Sequence, residues 1–265
     1  MSNYNLYQGD CLELMKNIPD KSIDMILCDL PYGTTACFWD VVIPFDKLWE
    51  HYNKVIKDNG TILLFGREPF SSHLRMSNLK MYKYDWIWQK TKAQGFLNCR
   101  KRPLIDYENI MVFYKHLGTY NPQNLISGTF NTFRPAKLKI DKSGIYGREA
   151  IYGNSEFSNY PKTIITFHNI SDKNNLHPTQ KPVELLEYLI RTYTNENEVV
   201  LDNCMGSGST GIACINTKRK FIGIELDENY FNVAKDRIMS HIPSTNTLNV
   251  NNEQVKGKDK RYRLF

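Results

Sequence analysis

The sequence predicts a doubly wound α/β fold, with helices on both faces of a mostly parallel sheet. Segments typical of strands alternate with segments typical of helices along most of the chain. The run 23–28, apolar except for Asp24, is typical of a buried strand. A length of 265 residues suits one large α/β domain or a domain with an insertion.

Hydrophobic periodicity predicts each element in turn. The predicted strands are 5–8, 22–28, 60–66, 84–89, 108–114, 198–202 and 220–225. The predicted helices are 11–17, 45–57, 71–79, 182–194, 209–216 and 228–242. The helix at Pro182 is the clearest, because proline suits a first turn and the apolar residues that follow form one stripe.

Two stretches break the alternation. Residues 116–176 are rich in Asn, Gly, Ser, Lys and aromatic residues and are too long for a simple loop, which predicts an insertion or small subdomain. Residues 244–265 are polar and basic, which predicts a flexible tail.

The composition limits the class of protein. Hydrophobic residues make up 41% and charged residues 23%, and no apolar run approaches the ~20 residues that a membrane span needs. The first residues lack the basic and apolar regions of a signal peptide. The six cysteines form neither a C-x-x-C pair nor a zinc-type cluster with histidine. We therefore expect reduced thiols in the cytoplasm, with no metal and no disulfide.

The charge distribution points to a polyanionic partner. The net charge is +6, and a basic cluster lies near three aromatic residues, Trp86, Trp88 and Phe96. Such interleaving suits a nucleic acid, whereas a solvated face beside a core strand is the alternative. The cluster consists of Lys90, Lys92, Arg100, Lys101 and Arg102.

The tetrapeptide Asp29-Leu30-Pro31-Tyr32 follows the strand 22–28 directly. Ligands bind at the carboxyl ends of strands in open α/β sheets. There the Asp29 carboxylate and the Leu30 carbonyl can accept hydrogen bonds from an exocyclic amine, and the Tyr32 ring can stack on a base. The motif therefore predicts a nucleobase site, although an ordinary turn is the alternative for the tetrapeptide alone.

A second constellation is typical of a nucleoside-containing cofactor. A strand ends at Asp202, a glycine-rich turn and a helix follow, and the next strand ends at Glu225, where an acid is placed to bind ribose hydroxyls. The same glycines also fit G-x-G-x-x-G, which leaves a dinucleotide-dependent oxidoreductase open. The turn consists of Gly206, Ser207, Gly208, Ser209 and Thr210.

Two shorter motifs complete the set. Asp10 precedes Cys11 after the first strand and suits either a helix cap or an adenine amine. Thr179 and Lys181 offer a hydroxyl and a charge near the helix at Pro182, where a helix entry without a ligand is the alternative.

These four motifs, in this order, resemble the β group of DNA amino-methyltransferases, which use S-adenosylmethionine. The resemblance covers residues 4–238 except for the middle insertion. It implies a Rossmann-like methyltransferase fold with a seven-stranded, mostly parallel sheet. It implies a permuted catalytic domain of residues 1–115 and 177–243, in which the catalytic motif precedes the cofactor motif. Residues 116–176 would be the target-recognition region.

The resemblance also implies roles for the motifs. Asp29, Leu30, Pro31 and Tyr32 would hold an adenine flipped out of double-stranded DNA for methylation at N6. Asp202 and the turn 206–210 would hold the methionine part of the cofactor, Glu225 the ribose, and Asp10 with Cys11 the adenine ring. Thr179 and Lys181 would close over the cofactor. DNA methylation within restriction-modification follows from the same resemblance, and a homodimer is compatible with it.

Two departures and several alternatives accompany this prediction. Leu30 stands where the family usually has proline, and Cys204 where it usually has an aromatic residue. Cytosine-N4 methylation stays open, with Asp29 favouring adenine. A cytosine-C5 enzyme is excluded because no Pro-Cys occurs. An RNA or protein methyltransferase and a non-catalytic DNA-binding module are less favoured.

Overall fold

The fold is given by a computed structural model that describes residues 3–33, 40–134, 139–140, 146–147, 151–169, 180–242 and 248–251. The chain divides into two compact units, one of Met1–Asn121 with Thr163–Phe265 and the other of Pro122–Lys162. The first unit has a central sheet with helices on both faces, so the predicted Rossmann-like α/β fold is confirmed.

Every predicted strand and helix of this first unit is present. The strands are β1 (Tyr4–Gln8), β2 (Ile23–Cys28), β3 (Ile56–Gly66), β4 (Tyr82–Gln94), β5 (Ile105–Phe113), β10 (Ile164–Phe167), β11 (Val199–Asp202), β12 (Lys220–Glu225) and β13 (Leu248–Asn251). The helices are α1 (Cys11–Leu14), α2 (Phe45–Val55), α3 (Phe70–Ser77), α4 (Val183–Tyr193), α5 (Ser209–Asn216) and α6 (Glu228–His241).

The sheet has nine strands in the order β10-β4-β5-β3-β2-β11-β12-β1-β13. Only β5 among them is antiparallel to its neighbours. The expected number of seven is therefore corrected to nine, because β10 pairs with β4 at one edge and β13 with β1 at the other. The second of these strands lies within residues 244–265, so part of the expected flexible tail is ordered as an edge strand.

Each face of the sheet packs against three helices, because its strands are apolar on both sides. On one face α4, α5 and α6 cover a core that contains Leu27, Phe65 and Trp88. On the other face α1, α2 and α3 cover a core that contains Ile26, Leu64 and Phe113. None of the helices that the structure describes is both long and apolar enough to cross a bilayer.

The chain reverses its direction of winding between two adjacent central strands. From β2 the chain passes through α2 on one face to β3, and from β11 it passes through α5 on the other face to β12. The crevice at the carboxyl ends of β2 and β11 is therefore the topological switch point, where α/β sheets bind ligands.

The described residues of the second unit include two antiparallel pairs of strands. Strand β6 (Ile126–Arg134) pairs with β9 (Ile151–Ser158), and β7 (Lys139–Ile140) pairs with β8 (Tyr146–Gly147). This unit is shorter than the expected insertion of residues 116–176, since β10 belongs to the main sheet. Its predicted role in target recognition stays a prediction.

Candidate active site

A cavity of about 710 Å³ opens at the switch point of the first unit. It lies at the strand ends, so it collects motifs that are far apart in the sequence. The predicted site residues that line it are Asp10, Cys11, Asp29, Leu30, Pro31, Tyr32, Lys90, Lys92, Lys181, Asp202, Gly206, Ser207, Ser209, Thr210 and Glu225. The nucleobase motif and the glycine turn therefore share one cavity.

Asp29 emerges from the end of β2 and accepts two short hydrogen bonds. The Tyr32 hydroxyl donates to Asp29 Oδ1 at 2.6 Å, and Lys181 Nζ donates to Oδ2 at 2.5 Å. The Tyr32 ring packs on Phe70 with the ring centroids 4.8 Å apart and the planes at 30°. Neighbours thus fix the orientation of both the carboxylate and the aromatic ring.

Lys181 joins Asp29 to a second buried carboxylate, Glu108 at the start of the apolar part of β5. Lys181 Nζ lies 3.2 Å from Glu108 Oε2 and 5.0 Å from the centre of the Phe65 ring. Lys90 Nζ donates to Glu108 Oε1 at 2.5 Å. Glu108 Oε2 forms an ion pair with Lys181 but no hydrogen bond of good geometry. Two lysines, Lys90 and Lys181, and two carboxylates, Glu108 and Asp29, therefore form one buried network of ion pairs.

The ion pairs of this network shift the pKa values of the side chains that form it. Burial raises the pKa of Asp29 and Glu108 adds to the effect, whereas Lys181 opposes it. Burial alone would raise the pKa of Glu108, but Lys181 and Lys90 hold it below the ordinary value. Burial would lower the pKa of Lys181, but the two carboxylates raise it. Lys181 is therefore the cation that limits the rise in the pKa of Asp29.

Lys90 is a correction to the predicted DNA-binding set. Its side chain is buried against Glu108, and its Nζ lies 4.9 Å from the centre of the Trp88 ring. A lysine that neutralises a buried carboxylate cannot also bind phosphate. Lys92, Arg100, Lys101 and Arg102 are exposed, as the prediction requires.

Sequence reasoning missed the role of Glu108, although the strand pattern carries a signal for it. Trp86, Trp88 and Lys90 alternate along β4 and therefore face the same side of the sheet. Glu108 shares its side of β5 with Ile110 and is buried as well. A charge that continues an alternating run of buried residues needs a partner of opposite charge on the same face.

The glycine turn between β11 and α5 is held by Asp202. This buried carboxylate accepts a hydrogen bond from the Thr210 hydroxyl at 2.6 Å and another from the Cys204 amide at 3.1 Å. Burial raises the pKa of Asp202 to about 6, and the bond from Thr210 opposes this. Gly208 lies behind the cavity in a left-handed conformation with φ of 79°, where a Cβ would lie 3.0 Å from the Ala234 Cβ.

Glu225 at the end of β12 is the second buried acid of this half of the cavity. Its carboxylate accepts hydrogen bonds from the amides of Gly206 at 2.8 Å and Asp227 at 2.9 Å. Burial raises the pKa of Glu225 to about 7, and the two amide bonds oppose the rise. The acid therefore braces the turn from the neighbouring strand.

Three further predicted cofactor residues are Asp10, Cys11 and Thr179. Asp10 caps α1 by accepting a hydrogen bond from the Leu12 amide at 2.8 Å, and Cys11 is buried beside it. The hydrogen bond to Cys204, together with burial, raises the pKa of Cys11, which keeps the thiol neutral. Thr179 lies outside the described residues.

The cysteines in the described part of the chain, Cys11, Cys28, Cys99, Cys204 and Cys214, are free. Within the same part, no group of three or more His, Cys, Asp or Glu residues could hold a metal ion.

Residues 23–236, which include every strand of the nine-stranded sheet except β1 and β13, match the family described as DNA methylase. The chain belongs to the DNA methylase family. The family predicted from the four ordered motifs is thus confirmed.

Curated relatives of this DNA methylase cover most of its length. The Type II methyltransferase M.HpaI of Haemophilus parainfluenzae is 29% identical over 88% of this chain and 73% of its own. The DNA adenine methyltransferase YhdJ of Escherichia coli K12 is 26% identical over 98% of this chain and 91% of its own.

Solved structures share the fold of this DNA methylase. The M1.HpyAVI–SAM complex superposes with a TM-score of 0.61 at 25% identity, over 89% of this chain and 98% of that one. The cytosine-N4-specific PvuII DNA methyltransferase superposes with a TM-score of 0.65 at 17% identity, over 93% of this chain and 90% of that one. The second match shows likeness of fold alone.

Proposed function

We propose that this DNA methylase transfers a methyl group from S-adenosylmethionine to the N6 amine of an adenine flipped out of double-stranded DNA. The observation that carries the proposal is the position of Asp29 in the same cavity as the glycine turn 206–210. A group that can hold an exocyclic amine and a turn that can hold a nucleoside cofactor thus line one cavity.

The residues of the β11–β12 half fit the cofactor. S-adenosylmethionine supplies an electrophilic methyl group on a sulfonium and presents an ammonium and two ribose hydroxyls. Asp202 and Glu225 are buried acids that line the cavity, and they suit the ammonium and the ribose hydroxyls respectively. Gly206 has φ of 51°, which lets the turn bring main chain close to a ligand.

The Asp29 half fits the amine. The nitrogen lone pair of adenine N6 is delocalised into the ring, so the amine is a weak nucleophile. Hydrogen bonds to Asp29 and to the Leu30 carbonyl favour a tetrahedral nitrogen and stabilise its developing positive charge. The cofactor would supply the methyl group from its sulfonium, and the Asp29 carboxylate would accept the proton that the methylated nitrogen loses.

Adenine is favoured over cytosine as the target. Asp29 stands where a serine would favour cytosine by family resemblance, and curated relatives include a DNA adenine methyltransferase. The names of the Type II relatives suggest a place in restriction-modification. A DNA substrate supports a cytoplasmic location for the reaction.

The test is transfer of labelled methyl from S-adenosylmethionine to unmethylated duplex DNA, followed by separation of the nucleosides. Label in N6-methyladenine supports the proposal. Label in N4-methylcytosine would overturn the choice of base while keeping the reaction. If DNA takes up no label although S-adenosylhomocysteine binds, DNA is not the acceptor and the proposal is wrong.

A further inference from the structure

The connection between β4 and β5 carries an exposed apolar tip beside the mouth of the cavity. Leu97 is 98% exposed and Phe96 is 76% exposed. The last residues of β4 and Gly95, which follows them, line the cavity itself. Two residues of chain span at most ~7 Å, so Leu97 stands next to the cavity.

The tip has a defined backbone. Gly95 takes a left-handed conformation with φ of 88°, and a single 3-10 turn, Phe96–Asn98, follows it. The Asn98 amide donates to the Gly95 carbonyl at 2.9 Å, and the Cys99 amide donates to the Phe96 carbonyl at 3.0 Å. A formed turn therefore presents the two apolar side chains outward.

The residues around the tip indicate what covers it. Adjacent exposed apolar side chains of this size gain free energy when a partner removes them from water. Lys92, Arg100, Lys101 and Arg102 flank them in the sequence, and no acid occurs from residue 92 to residue 105. A second copy of the chain would bring like charges together at this tip, whereas a nucleic acid offers phosphates to the cations and stacked bases to the apolar pair.

We propose that Leu97, with Phe96 beside it, is a wedge that enters the DNA base stack as the target nucleotide leaves it. The inference rests on the proposed function, because only chemistry on a base inside a duplex requires the base to be flipped out. Leucine and phenylalanine are side chains that proteins insert between base steps, and unstacking a base costs free energy that an inserted side chain offsets. Arg100, Lys101 and Arg102 hold the flanking phosphates.

A wedge is needed only when the target is paired, and this sets the experiment. Sequencing of DNA methylated by the full chain identifies the modified sites, and synthetic duplexes then carry such a site with the target base either paired or opposite an abasic position. Leu97→Ala lowers kcat/KM on the paired duplex by about tenfold or more, and the abasic duplex restores it to near the parental value. Leu97→Met keeps most activity on both duplexes.

Leu79→Ala is the matched control. Leu79 is 57% exposed and precedes β4, so it lies at the opposite end of the same strand. Its substitution leaves kcat/KM at the parental value on both duplexes. The double variant Arg100→Ala with Arg102→Ala lowers the affinity for both duplexes equally and reduces the dependence of that affinity on salt.

Three results would overturn the wedge. They are an unchanged rate for Leu97→Ala on the paired duplex, an equal loss on both duplexes, and a change in the association state of the protein without any change in rate. The parental chain distinguishes this failure from failure of the proposed function. If the parental chain methylates the duplex and Leu97→Ala does so equally well, only the wedge is lost.

Discussion

Lys181 Nζ lies 2.5 Å from Asp29 Oδ2, and this contact joins two segments 152 residues apart in the sequence. Lys181 Nζ also pairs with Glu108. A target amine that binds Asp29 therefore competes with Lys181 for Asp29 Oδ2, while Lys181 keeps its ion pair with Glu108. We therefore propose Lys181 and Glu108 as positioning residues that act on the target through Asp29, whereas the sequence predicted that Lys181 would close over the cofactor.

Opposite shifts of the pH–rate profile test this relationship. Lys181 lowers the pKa of Asp29 and Glu108 raises it. Because catalysis needs the ionised carboxylate, Lys181→Met moves the acid limb of the single-turnover rate to higher pH by about one unit or more, and Glu108→Gln moves it to lower pH. The measurement is single-turnover methyl transfer from pH 5 to pH 9.

The control for this pair is Lys47→Met, which removes an exposed lysine that pairs only with Glu50 among the described ion pairs. It leaves the profile where it is. Shifts of Lys181→Met and Glu108→Gln in the same direction would show a general loss of structure and would contradict the positioning role.

Cofactor binding should strengthen as pH rises from 5.5 to 8. Burial raises the pKa of Asp202 to about 6 and of Glu225 to about 7, so both are partly protonated in the acid half of this range. An ionised carboxylate is the stronger acceptor for an ammonium or a ribose hydroxyl. Calorimetric titration with S-adenosylhomocysteine measures the affinity, and Glu225→Gln flattens its dependence on pH.

The same carboxyl groups make the ligand-free protein less stable as pH rises. Their folded-state pKa values lie above the ordinary values, so their contribution to stability is complete below about pH 4 and is lost as pH rises through about 6 to 7.

An affinity for S-adenosylhomocysteine that falls as pH rises from 5.5 to 8 would contradict the assignment of Asp202 and Glu225 to the cofactor.

Two glycines in similar backbone conformations separate strain from close packing. Gly208→Ala and Gly95→Ala both place a side chain at positive φ, 79° and 88° respectively, which costs ~1 kcal/mol in each case. Only the Cβ at position 208 meets a neighbour, Ala234 at 3.0 Å. Gly208→Ala should lose about 1–3 kcal/mol more in the free energy of unfolding, measured with urea. Equal losses would show that the turn is not closely packed against α6.

The sequence predicted the interior strands well and the edge strands poorly. Strand β2 is a mostly apolar run followed by Asp29, and β11 is an apolar run that ends at Asp202; such runs are informative because both faces are buried. Strand β10 alternates exposed and half-buried residues, and β13 lies in a polar segment, so neither shows a marked apolar pattern. Edge strands of this kind depend on pairing with a neighbour rather than on their own hydrophobicity.

The motifs of the site were predictable, but the pairing between them was not. Asp29 directly follows one apolar strand and Glu225 ends another, so the sequence predicted both acids at the carboxyl edge of the sheet. The ion chain Lys90–Glu108–Lys181–Asp29 depends on the neighbouring positions of β4 and β5 and on a loop far away in the sequence. Charge clustering along the sequence grouped Lys90 with the exposed arginines, although strand alternation turns it inward.

The most direct test of the central claim compares the parental chain with Asp29→Ala. Both are titrated with S-adenosylhomocysteine and then assayed for single-turnover formation of N6-methyladenine in duplex DNA. Asp29→Ala is expected to abolish transfer and to bind S-adenosylhomocysteine with affinity close to the parental value. Transfer at the parental rate, or equal loss of transfer and cofactor binding, would contradict the role of Asp29 as the residue that holds the target amine.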